Sequence, residues 1–548
     1  MTDKIIEAVL KAVDDSFGVK TQISLVKADP KFGDYATNVA FQVAKDIGKS
    51  PPETAEAVIA KLDLGDAGSA EQKGGFINIK LSDSALASEL NQATLLPKIG
   101  EHKLALVEFG DANPFKDMHI GHLYNTIVGD GISGLFEAYG FSVKRLSYHG
   151  DVGLHVAKWI YGVGSEIDFD PTKFTEALSS GGDDPLGYFY ARGEKAYTES
   201  DEAASKIKEI NKHIYAQDDP KINEIYRLGK ETSFEQFDKI FALLGVHYNK
   251  RYLESETASI GKKLVEENIG KVFEKSQGAV IYEGEAEGLH TRVFITSNDL
   301  PTYETKDLGF AVAKDKDYPN AQKSIIITAN EQSDYFAVML AALSKIKPNL
   351  AKVTVHLGHG FLSLKAGKMS SREGNVYTAQ TLIDEVKKAV ETLYPDSPAK
   401  HDIYISALRY ELMKHKLGSD IVFDINESIS LEGNSGPYIL YAHARARSIL
   451  KKSDKQPSPQ NKFEPAERRL AIAICGFRQA ADEAFEGLKP HTICNYLFGL
   501  AGEFNSFYET NRVIGDDREE IRLKLISAYA EILKTGLGAL NIPAPEKM

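Results

Sequence analysis

The sequence has little cysteine and no long hydrophobic run. Its two cysteines, Cys475 and Cys494, lie in apolar helical patterns, so neither a disulfide framework nor a cysteine zinc site is supported. No apolar stretch approaches the roughly 18 residues that a membrane-spanning helix needs. The opening segment Met1–Glu7 lacks the charged and apolar regions of a signal peptide. We therefore expect a cytoplasmic protein without zinc and without a membrane partner.

The chain also lacks an excess of positive charge, since its formal net charge is -13. Because phosphate binding needs clustered cations, this total argues mildly against a nucleic-acid partner. The charge is unevenly distributed, however: from Gly433 to the end there are 16 Lys and Arg against 14 Asp and Glu. A local basic stripe in that part consists of Arg445, Arg447, Lys451, Lys452 and Lys455. Such a stripe is compatible with an RNA partner and equally with a solvated helix face.

Length and pattern predict several domains. At 548 residues the chain is too long for one hydrophobic core and should divide into three or four domains. Residues 1–97 have the pattern of a small α+β module, with an amphipathic opening helix, a second helical pattern over Pro51–Lys61 and a strand-like run over Gly75–Lys80. After about residue 98 strands and helices alternate, which favours an α/β fold with a parallel sheet and helices on both faces.

A nucleotide-binding α/β unit is predicted over residues 98–365. Its predicted strands are Leu104–Phe109, Phe141–Leu146, Arg292–Ile295, Ser324–Thr328 and Val353–His356. Residues 165–290 are polar, helical and rich in charge, and we interpret them as an insertion between the two halves of the sheet. Residues 366–432 form a connecting region. From 433 to 548 the apolar spacing predicts a helical bundle without strands.

The most informative short motif is Asn113–His122, which lies between a predicted strand and a predicted helix. His119 and His122 are three residues apart, so at a helix start both rings lie on one face, and Gly121 leaves room for a flat base or ribose. Two imidazoles beside a helix N-terminus suit an α-phosphate that gains negative charge in a transition state. Taken alone, two such histidines are more often solvent-facing or satisfied within a core.

A second loop, Gly367–Asn375, changes this interpretation. It is rich in glycine and has two cations, Lys368 and Arg372. By itself such a loop is typical of an exposed turn. Together with Asn113–His122, however, it resembles the two signatures of class I aminoacyl-tRNA synthetases, His-x-Gly-His and Lys-Met-Ser-Lys-Ser, in the same order and separation.

Further motifs resemble those of arginyl-tRNA synthetases along nearly the whole chain. They are Gly33–Ala36, Gly75–Asn78, Val107–Phe109, Asn113, Pro114, Lys116, Tyr303, Asp307, Gly436–Arg445, Cys494–Leu497, Phe504–Tyr508 and Pro545–Met548. The resemblance implies a Rossmann-like parallel-sheet catalytic domain. It also implies an N-terminal α+β domain that contacts the corner of the tRNA and a C-terminal α-helical bundle that binds the anticodon.

The resemblance implies a two-step arginine–tRNA ligase reaction. The carboxylate of L-arginine attacks the α-phosphate of ATP to give arginyl-adenylate and pyrophosphate, and the 3'-terminal adenosine of tRNA(Arg) then takes the arginine. Since no side chain becomes covalently attached, catalysis rests on positioning and charge stabilisation. The catalytic residues implied are His119, His122, Lys116 and Lys368. The ATP-binding residues implied are His119, Gly121, His122, Lys368, Met369, Ser370, Ser371 and Arg372.

Two further expectations follow from the resemblance. Mg²⁺ is expected with the ATP phosphates, held mostly by phosphate oxygens and water, so no metal-ligating side chains are predicted. The enzyme is expected to be a monomer. One departure concerns the second signature, in which Ser371 stands where the family has its second lysine and Arg372 follows. In this family such a loss goes with a lysine just before the first histidine motif, so we expect Lys116 to replace the missing cation.

The amino-acid pocket should meet a guanidinium, which is planar and always charged. A carboxylate answers such a group with two parallel hydrogen bonds. The resemblance assigns the guanidinium to Asp307, the Tyr303 hydroxyl and Glu254. The backbone end of the amino acid is assigned to Glu108, Asn113, His119 and Gln332. In isolation, Tyr303 and Asp307 would equally fit an exposed helix turn with an acidic start.

Contacts to tRNA are assigned to four residues. Aromatic side chains stack on unpaired bases while neighbouring cations follow the phosphates, which favours Tyr438, Tyr441 and Arg445 in the bundle. Asn78 is assigned to the corner of the tRNA. Tyrosines at this helical spacing are also common in cores.

Three other interpretations compete. A different class I synthetase, such as that for cysteine, would be expected to bind zinc through cysteines, and this chain has too few. A catalytically silent tRNA-binding paralogue would not need His119, His122, Lys368 and Asp307 intact. A small-molecule adenylyltransferase with the same histidine motif would not need the terminal helical bundle.

Overall fold

The N-terminal part of the chain is an antiparallel sheet covered by helices. The computed structural model describes residues 2–29, 31–182, 184–365, 377–458 and 462–548. Its first elements are α1 (Thr2–Phe17), β1 (Val26–Lys27), β2 (Tyr35–Thr37), α2 (Val39–Ile47), α3 (Pro51–Ile59), β3 (Gly68–Lys73), β4 (Phe76–Leu81) and α4 (Asp83–Gln92). The strands pair in the order β1-β2-β4-β3. A capping box between Ser50 and Glu53 begins α3, so the predicted second helix is confirmed, as is the predicted strand at β4.

A five-stranded parallel sheet forms the centre of the molecule. The elements of this part are β5 (Leu104–Glu108), α5 (Ile120–Ala138), β6 (Ser142–His149), α6 (Leu154–Gly164), α7 (Phe174–Ser180), α8 (Pro185–Glu199), α9 (Asp201–Ala216), α10 (Pro220–Leu244), β7 (Lys250–Leu253), α11 (Glu254–Glu266), β8 (Glu274–Ser276), β9 (Ala279–Tyr282), β10 (Arg292–Ile295), α12 (Tyr303–Asp317), β11 (Ala321–Ala329), α13 (Ser333–Ile346), α14 (Pro348–Val353) and β12 (Thr354–His359). The sheet order is β12-β11-β5-β6-β7, which confirms the predicted α/β fold class.

The strand order creates a crevice beside β5. The chain runs outward from β5 through β6 to β7, then returns to the other side of β5 with β11 and β12. Ligands of open α/β sheets bind at such a reversal, outside the carboxyl ends of the strands. Glu108 is the last residue of β5 and lies in register with Ile326 of β11 and Leu146 of β6. The sheet therefore delivers the Glu108 carboxylate to the crevice.

One strand was missed, and one prediction about strands is wrong. β7 was not predicted, although it pairs in parallel with β6 and forms an edge of the sheet. Arg292–Ile295 was predicted as a strand of the parallel sheet, but as β10 it pairs antiparallel with β9 in a separate three-stranded sheet. That small sheet begins with a hairpin in which Gln277 and Gly278 both have positive φ, the geometry of a tight two-residue turn.

The helices α6 to α10 have their own hydrophobic core and anchor the loop that joins β5 to α5. Trp159 is fully buried in this core, and the ring of Phe115 packs 5.3 Å from it and 5.6 Å from the ring of Tyr226, between ring centroids. The backbone N–H of Phe115 donates to Ser233 Oγ at 2.9 Å. Phe115 therefore anchors the loop that leads into α5 to this helical part.

The last part of the chain is a helical bundle that contacts the N-terminal sheet. The remaining elements are β13 (Leu362–Leu364), α15 (Ala379–Leu393), α16 (Lys400–Met413), β14 (Ile421–Phe423), α17 (Ile425–Ser428), α18 (Gly436–Lys451), α19 (Pro465–Cys475), α20 (Phe477–Gly487), α21 (Pro490–Thr510) and α22 (Glu519–Gly538). Arg468 of α19 reaches across and pairs with Asp34, which is buried, and with Asp83. Across the described ranges, no helix is both long enough and apolar enough to cross a membrane.

Candidate active site

A cleft of about 830 Å³ lies at the carboxyl ends of β5 and β11. Nine residues predicted to bind ATP or the amino acid line it: Glu108, Asn113, His119, Gly121, His122, Glu254, Tyr303, Asp307 and Gln332. These residues come from the end of β5 and its following loop, from α5, from the starts of α11 and α12, and from the turn after β11. Segments far apart in the sequence therefore converge at the crevice that the sheet topology creates.

The two histidines form a capping box at the start of α5. His119 is the N-cap residue, and its Nδ1 accepts the backbone N–H of Gly121 at 3.0 Å. Nδ1 of His122 accepts the backbone N–H of His119 at 3.3 Å. The two rings are stacked with their centroids 3.7 Å apart. Because Nδ1 of each ring is an acceptor, a neutral ring has its proton on Nε2, where it can be donated to a ligand.

Both imidazoles are held in the neutral form. Burial lowers the pKa of His119, and the charge of Lys116 lowers it further. Burial also places the pKa of His122 well below the ordinary value, with smaller contributions from neighbouring histidines and Lys116. A Cβ at position 121 would lie 2.9 Å from Cε1 of His119. Glycine is therefore required at this position by the His119 ring itself.

Glu108 is paired with a lysine that was not predicted. Its carboxylate forms a buried ion pair with Lys314 of α12, and both side chains are almost fully buried. Burial raises the pKa of Glu108, and Lys314 opposes this shift. Asp111 lies beside this pair and accepts the backbone N–H of Tyr148 at 2.7 Å. Burial, followed by the charge of Glu108, raises the pKa of Asp111 well above its ordinary value.

Asp307 is one of three carboxylates of the cleft, with Asp111 and Glu331, that form no ion pair with a described residue. No described side chain forms a hydrogen bond or an ion pair with it. Burial raises the pKa of Asp307 well above its ordinary value, and the nearby charges of Glu108 and Glu254 raise it further. Asp307 is partly buried, and a partly desolvated carboxylate without an ion-pair partner becomes more favourable when a ligand supplies the opposite charge. Asp307 is thus positioned to bind a cation that enters the cleft.

The other residues predicted for the guanidinium surround the mouth of the cleft. Glu254 already pairs with Lys306, with Oε2 and Nζ 2.6 Å apart. Tyr303 is 69% exposed, and Nζ of Lys306 lies 5.0 Å from the centroid of its ring. An exposed tyrosine at the entrance can fold over a ligand. Glu254 is therefore already paired within the protein, whereas Asp307 forms no described ion pair.

The buried pair gives a test of stability. Replacing Lys314 with methionine should destabilise the fold by about 3–5 kcal/mol, because it leaves the Glu108 charge buried without a partner. The double variant E108Q/K314M should recover most of this loss, since neither charge then remains. Denaturant unfolding of the wild type and the two variants measures both effects. A single K314M variant as stable as the wild type would contradict the importance of this pair.

Lys116 lies beside the cleft, next to the helical part. Its Nζ is 4.4 Å from the centroid of the Tyr190 ring on α8, and its charge lowers the pKa of both His119 and His122. Lys116 is near the imidazoles but does not line the cleft. Its assigned role as a replacement cation stays a prediction. The predictions for Lys368, Met369, Ser370, Ser371 and Arg372 lie outside the described residues.

The residues assigned to tRNA lie on two surfaces. Asn78 of β4 is 5% exposed, and its Nδ2 has no partner among the described residues. Tyr438 and Arg445 lie on one face of α18 against α21: the Tyr438 hydroxyl accepts Nδ2 of Asn505 at 2.9 Å, and the Arg445 guanidinium lies 4.6 Å from the Tyr508 ring centroid. All four assigned contacts, including the one at the exposed Tyr441, stay predictions.

The basic stripe is largely paired with acids from distant parts of the chain. Arg447 and Lys451 both reach Glu546, at 3.0 Å and 2.6 Å. Lys455 pairs with Glu519 at 3.3 Å. The stripe therefore carries less free positive charge than the sequence suggests.

Several lining residues were not predicted. Asn125 joins three elements, because its Nδ2 donates to the Ile327 carbonyl at 2.7 Å and its Oδ1 accepts the N–H of Gly110 at 2.5 Å. Its spacing of three residues from His122 on α5 is a signal that could have identified it. His359 and Lys314 had weaker signals: His359 ends β12 at the crevice, and Lys314 lies two helical turns after Asp307. Within the described ranges, no group of three or more His, Cys, Asp or Glu side chains could hold a metal ion.

Three family models match the chain. The Arginyl tRNA synthetase N terminal domain matches residues 1–81, the catalytic domain of tRNA synthetases class I (R) matches residues 85–424, and the DALR anticodon binding domain matches residues 439–548. The catalytic-domain match alone covers more than half of the chain. The three matches agree with the family that the sequence motifs resemble, and they occur in the expected order along the chain.

Individual proteins are similar over comparable lengths. The arginine–tRNA ligase of Bacteroides fragilis is 27% identical, with 100% of this chain and 99% of that protein covered. The counterpart from Flavobacterium psychrophilum is 28% identical over 86% of this chain and 85% of its own length. The structure of Thermus thermophilus arginyl-tRNA synthetase superposes with a TM-score of 0.83 at 26% identity, and both chains are covered completely.

Proposed function

This chain belongs to the class I arginyl-tRNA synthetases, and from that premise we propose how its cleft ligates L-arginine to the 3'-terminal adenosine of tRNA(Arg). ATP, arginine and tRNA(Arg) are the substrates. The observation that supports this mechanism most strongly is the unpaired Asp307 carboxylate, which shares one cleft with two neutral imidazoles. Asp307 selects the cationic side chain, and the imidazoles receive the triphosphate.

The charges of the cleft match those of arginine. Six carboxylates line it, those of Glu108, Asp111, Glu254, Glu304, Asp307 and Glu331. Among the described residues they stand against the guanidinium of Arg292 and the ammonium groups of Lys306 and Lys314, which pair with three of them. Arginine supplies two cationic groups and one carboxylate. Its guanidinium pairs with Asp307 in a bidentate geometry that the point charge of lysine cannot reproduce. The Tyr303 hydroxyl and Glu254 border the same group.

The backbone end of arginine lies nearer the centre of the sheet. Its ammonium is proposed to bind near Glu108 and Asn113, with His119 and Gln332 completing the subsite. This orientation brings the arginine carboxylate next to the two imidazoles. The reacting carboxylate and the α-phosphate are thereby held in one place, which replaces a bimolecular encounter by a positioned attack.

The imidazoles are proposed to act as neutral hydrogen-bond donors. In the first step an oxygen of the arginine carboxylate bonds to the α-phosphorus while the bond from that phosphorus to the leaving pyrophosphate breaks. The Nε2–H groups of His119 and His122 donate to the α-phosphate as its charge grows. Lys116 and Lys368, with Gly121, Met369, Ser370, Ser371 and Arg372, are the remaining ATP-binding residues in this proposal. Mg²⁺ would be bound together with ATP, held by phosphate oxygens and water.

In the second step a ribose hydroxyl of the terminal adenosine attacks the arginyl carbonyl, and AMP leaves. The tRNA is proposed to contact Asn78 in the N-terminal part and Tyr438, Tyr441 and Arg445 in the bundle. We divide the chain into a domain for the tRNA corner (1–97), a catalytic domain (98–365), a connecting region (366–432) and an anticodon domain (433–548). We also propose that the enzyme is a monomer, is cytoplasmic and contains no zinc.

Arginine-dependent exchange of pyrophosphate into ATP tests this function. Purified protein should catalyse exchange with arginine, with lysine and citrulline at background level, in the presence of tRNA(Arg). Parallel reactions without tRNA show whether activation depends on it. Absence of exchange under both conditions, despite intact folding, would favour a catalytically silent tRNA-binding protein. Exchange with another amino acid would contradict the assignment of Asp307.

Arginine binding should weaken as the pH falls. The pKa of Asp307 in the free protein is raised, first by burial and then by Glu108 and Glu254, whereas a bound guanidinium favours the ionised carboxylate and lowers that pKa. Binding should therefore release protons and become tighter as the pH rises through the raised pKa. Calorimetry in two buffers with different ionisation enthalpies measures this release. Proton uptake on binding would contradict the assignment.

A further inference from the structure

The ammonium of Lys116 is held by a ring and by no described carboxylate. Its Nζ lies 4.4 Å from the ring centroid of Tyr190, and within the described ranges Lys116 takes part in no ion pair. The side chain is half-buried, and burial lowers its pKa. A cation over an aromatic face is attracted by the ring quadrupole without being neutralised. Its charge therefore remains free for an anion.

The nearest acid is occupied by other groups. Glu194 lies one helical turn after Tyr190 on α8 and accepts two hydrogen bonds from Nζ of Lys158, at 2.8 Å and 2.7 Å. It also accepts the Tyr190 hydroxyl at 3.1 Å. These bonds engage the Tyr190 hydroxyl and the Glu194 carboxylate. The charge of Glu194 still raises the pKa of Lys116 against the effect of burial, but the two side chains form no described ion pair. Tyr190 therefore holds the Lys116 ammonium in place without neutralising its charge.

The loop that carries Lys116 is anchored to the same helical part on its other side. Phe115, the preceding residue, is fully buried between Trp159 and Tyr226 and has a φ of 67°. This left-handed conformation is uncommon for a bulky residue and is maintained by the packing around it. Phe115 therefore fixes the backbone of the segment just before the imidazoles. Tyr190 holds the end of the Lys116 side chain.

We propose that Tyr190 is a positioning residue for arginine activation, which holds the Lys116 ammonium ready to meet the phosphates of ATP. This inference rests on the proposed role of Lys116 as the replacement cation. The helical part between α6 and α10 then contributes to catalysis through Tyr190. It does so without touching the reacting atoms.

A double-mutant cycle tests this inference in the full-length enzyme. Pyrophosphate exchange is measured over a range of arginine concentrations, with saturating ATP and tRNA(Arg), in the wild type, Y190L, Y190F, K116A and K116A/Y190L. Y190L should lower kcat of exchange by about tenfold and leave the KM of arginine unchanged. Y190F keeps the ring and should retain nearly full activity. In the K116A background, Y190L should have no further effect, because the group that it positions is already gone.

A matched control separates positioning from damage to α8. Tyr188 lies on the same helix and has the Arg192 guanidinium 5.7 Å from its ring centroid, so Y188L removes a similar contact away from Lys116 and should keep wild-type kcat. The inference is overturned if Y190L keeps the kcat of the wild type while K116A is impaired. It is also overturned if Y190F loses as much kcat as Y190L, or if Y190L lowers kcat equally with and without K116A. A K116A variant with full activity would refute the role of Lys116 and this inference with it. Lack of arginine-dependent exchange in the wild type would instead refute the proposed function.

Discussion

Replacing Asp307 with asparagine should lower kcat/KM for arginine by about 30-fold to several-thousand-fold, the equivalent of about 2–5 kcal/mol for one member of a desolvated charge pair. The amide keeps the shape of the carboxylate but has no charge and only one acceptor oxygen for the guanidinium. The KM of ATP should change little, because the triphosphate binds at the imidazoles. Arginine-dependent pyrophosphate exchange measures both parameters.

The same substitution should leave the fold intact or strengthen it. Since the folded-state pKa of Asp307 is raised by burial and by neighbouring acids, its stabilising contribution is present below the ordinary pKa and is lost as the pH rises through the raised value. At neutral pH the D307N variant should therefore unfold thermally at the same or a higher temperature than the wild type. D315N is the matched control, because Asp315 lies on the same helix and pairs with Lys347 at 3.6 Å. Wild-type kcat/KM for arginine in D307N would contradict the proposed pocket.

Two substitutions of His122 should have very different effects on activation. Glutamine can place an amide N–H near the position of the imidazole Nε2, whereas asparagine can replace only the Nδ1 acceptor that binds the His119 backbone N–H. We expect H122N to lower kcat of exchange by about 10²- to 10³-fold, the usual cost of removing one donor to a developing anion. H122Q should retain most of the activity.

Stability should follow the opposite order, which separates the two roles of this ring. Asparagine can preserve the capping contact at the start of α5, so H122N should have a thermal midpoint at or above that of H122Q. H213N serves as the control, because His213 lies on the exposed part of α9 beside Asp218. Equal loss of activity in H122N and H122Q would contradict the assignment of Nε2–H as the phosphate donor.

The cleft was largely predictable because its residues follow strands with strong local patterns. Leu104–Phe109 is a compact apolar run, so a strand ending near Glu108 could be inferred without knowledge of its neighbours. The histidines then fall at the next helix start, where both rings lie on one face. Parallel sheets bring such strand ends together. Local pattern and general topology therefore suffice for the strand end and the two histidines, whereas the roles of Glu254, Tyr303, Asp307 and Gln332 were assigned from the resemblance to a known family.

Strand pairing was less predictable because it depends on contacts that are distant in the sequence. β7 is a four-residue edge strand, Lys250–Leu253, and its two leading cations hide the period-two pattern. β10 has a clear strand pattern, but the residues of Arg292–Ile295 do not indicate that this strand pairs with β9. A local pattern can therefore identify a strand, but it does not identify the strand with which it pairs.

Charge partners were also hidden from the sequence. Lys314 and Glu108 are more than 200 residues apart and meet only in the folded core. The basic stripe looked unpaired because Glu546 and Glu519, which bind three of its members, lie 64 to 99 residues away. Electrostatic predictions made from neighbouring residues therefore overestimate free charge where helices pack against each other.

The most direct test of the proposed chemistry compares arginine with citrulline, its uncharged analogue of nearly equal shape, in the wild type and in D307N. If Asp307 binds the guanidinium, the ratio of kcat/KM for arginine to that for citrulline in pyrophosphate exchange should be large in the wild type. It should fall by about 30-fold or more in D307N, because only the charged substrate loses a partner. An unchanged ratio would contradict the proposed recognition of arginine in this cleft.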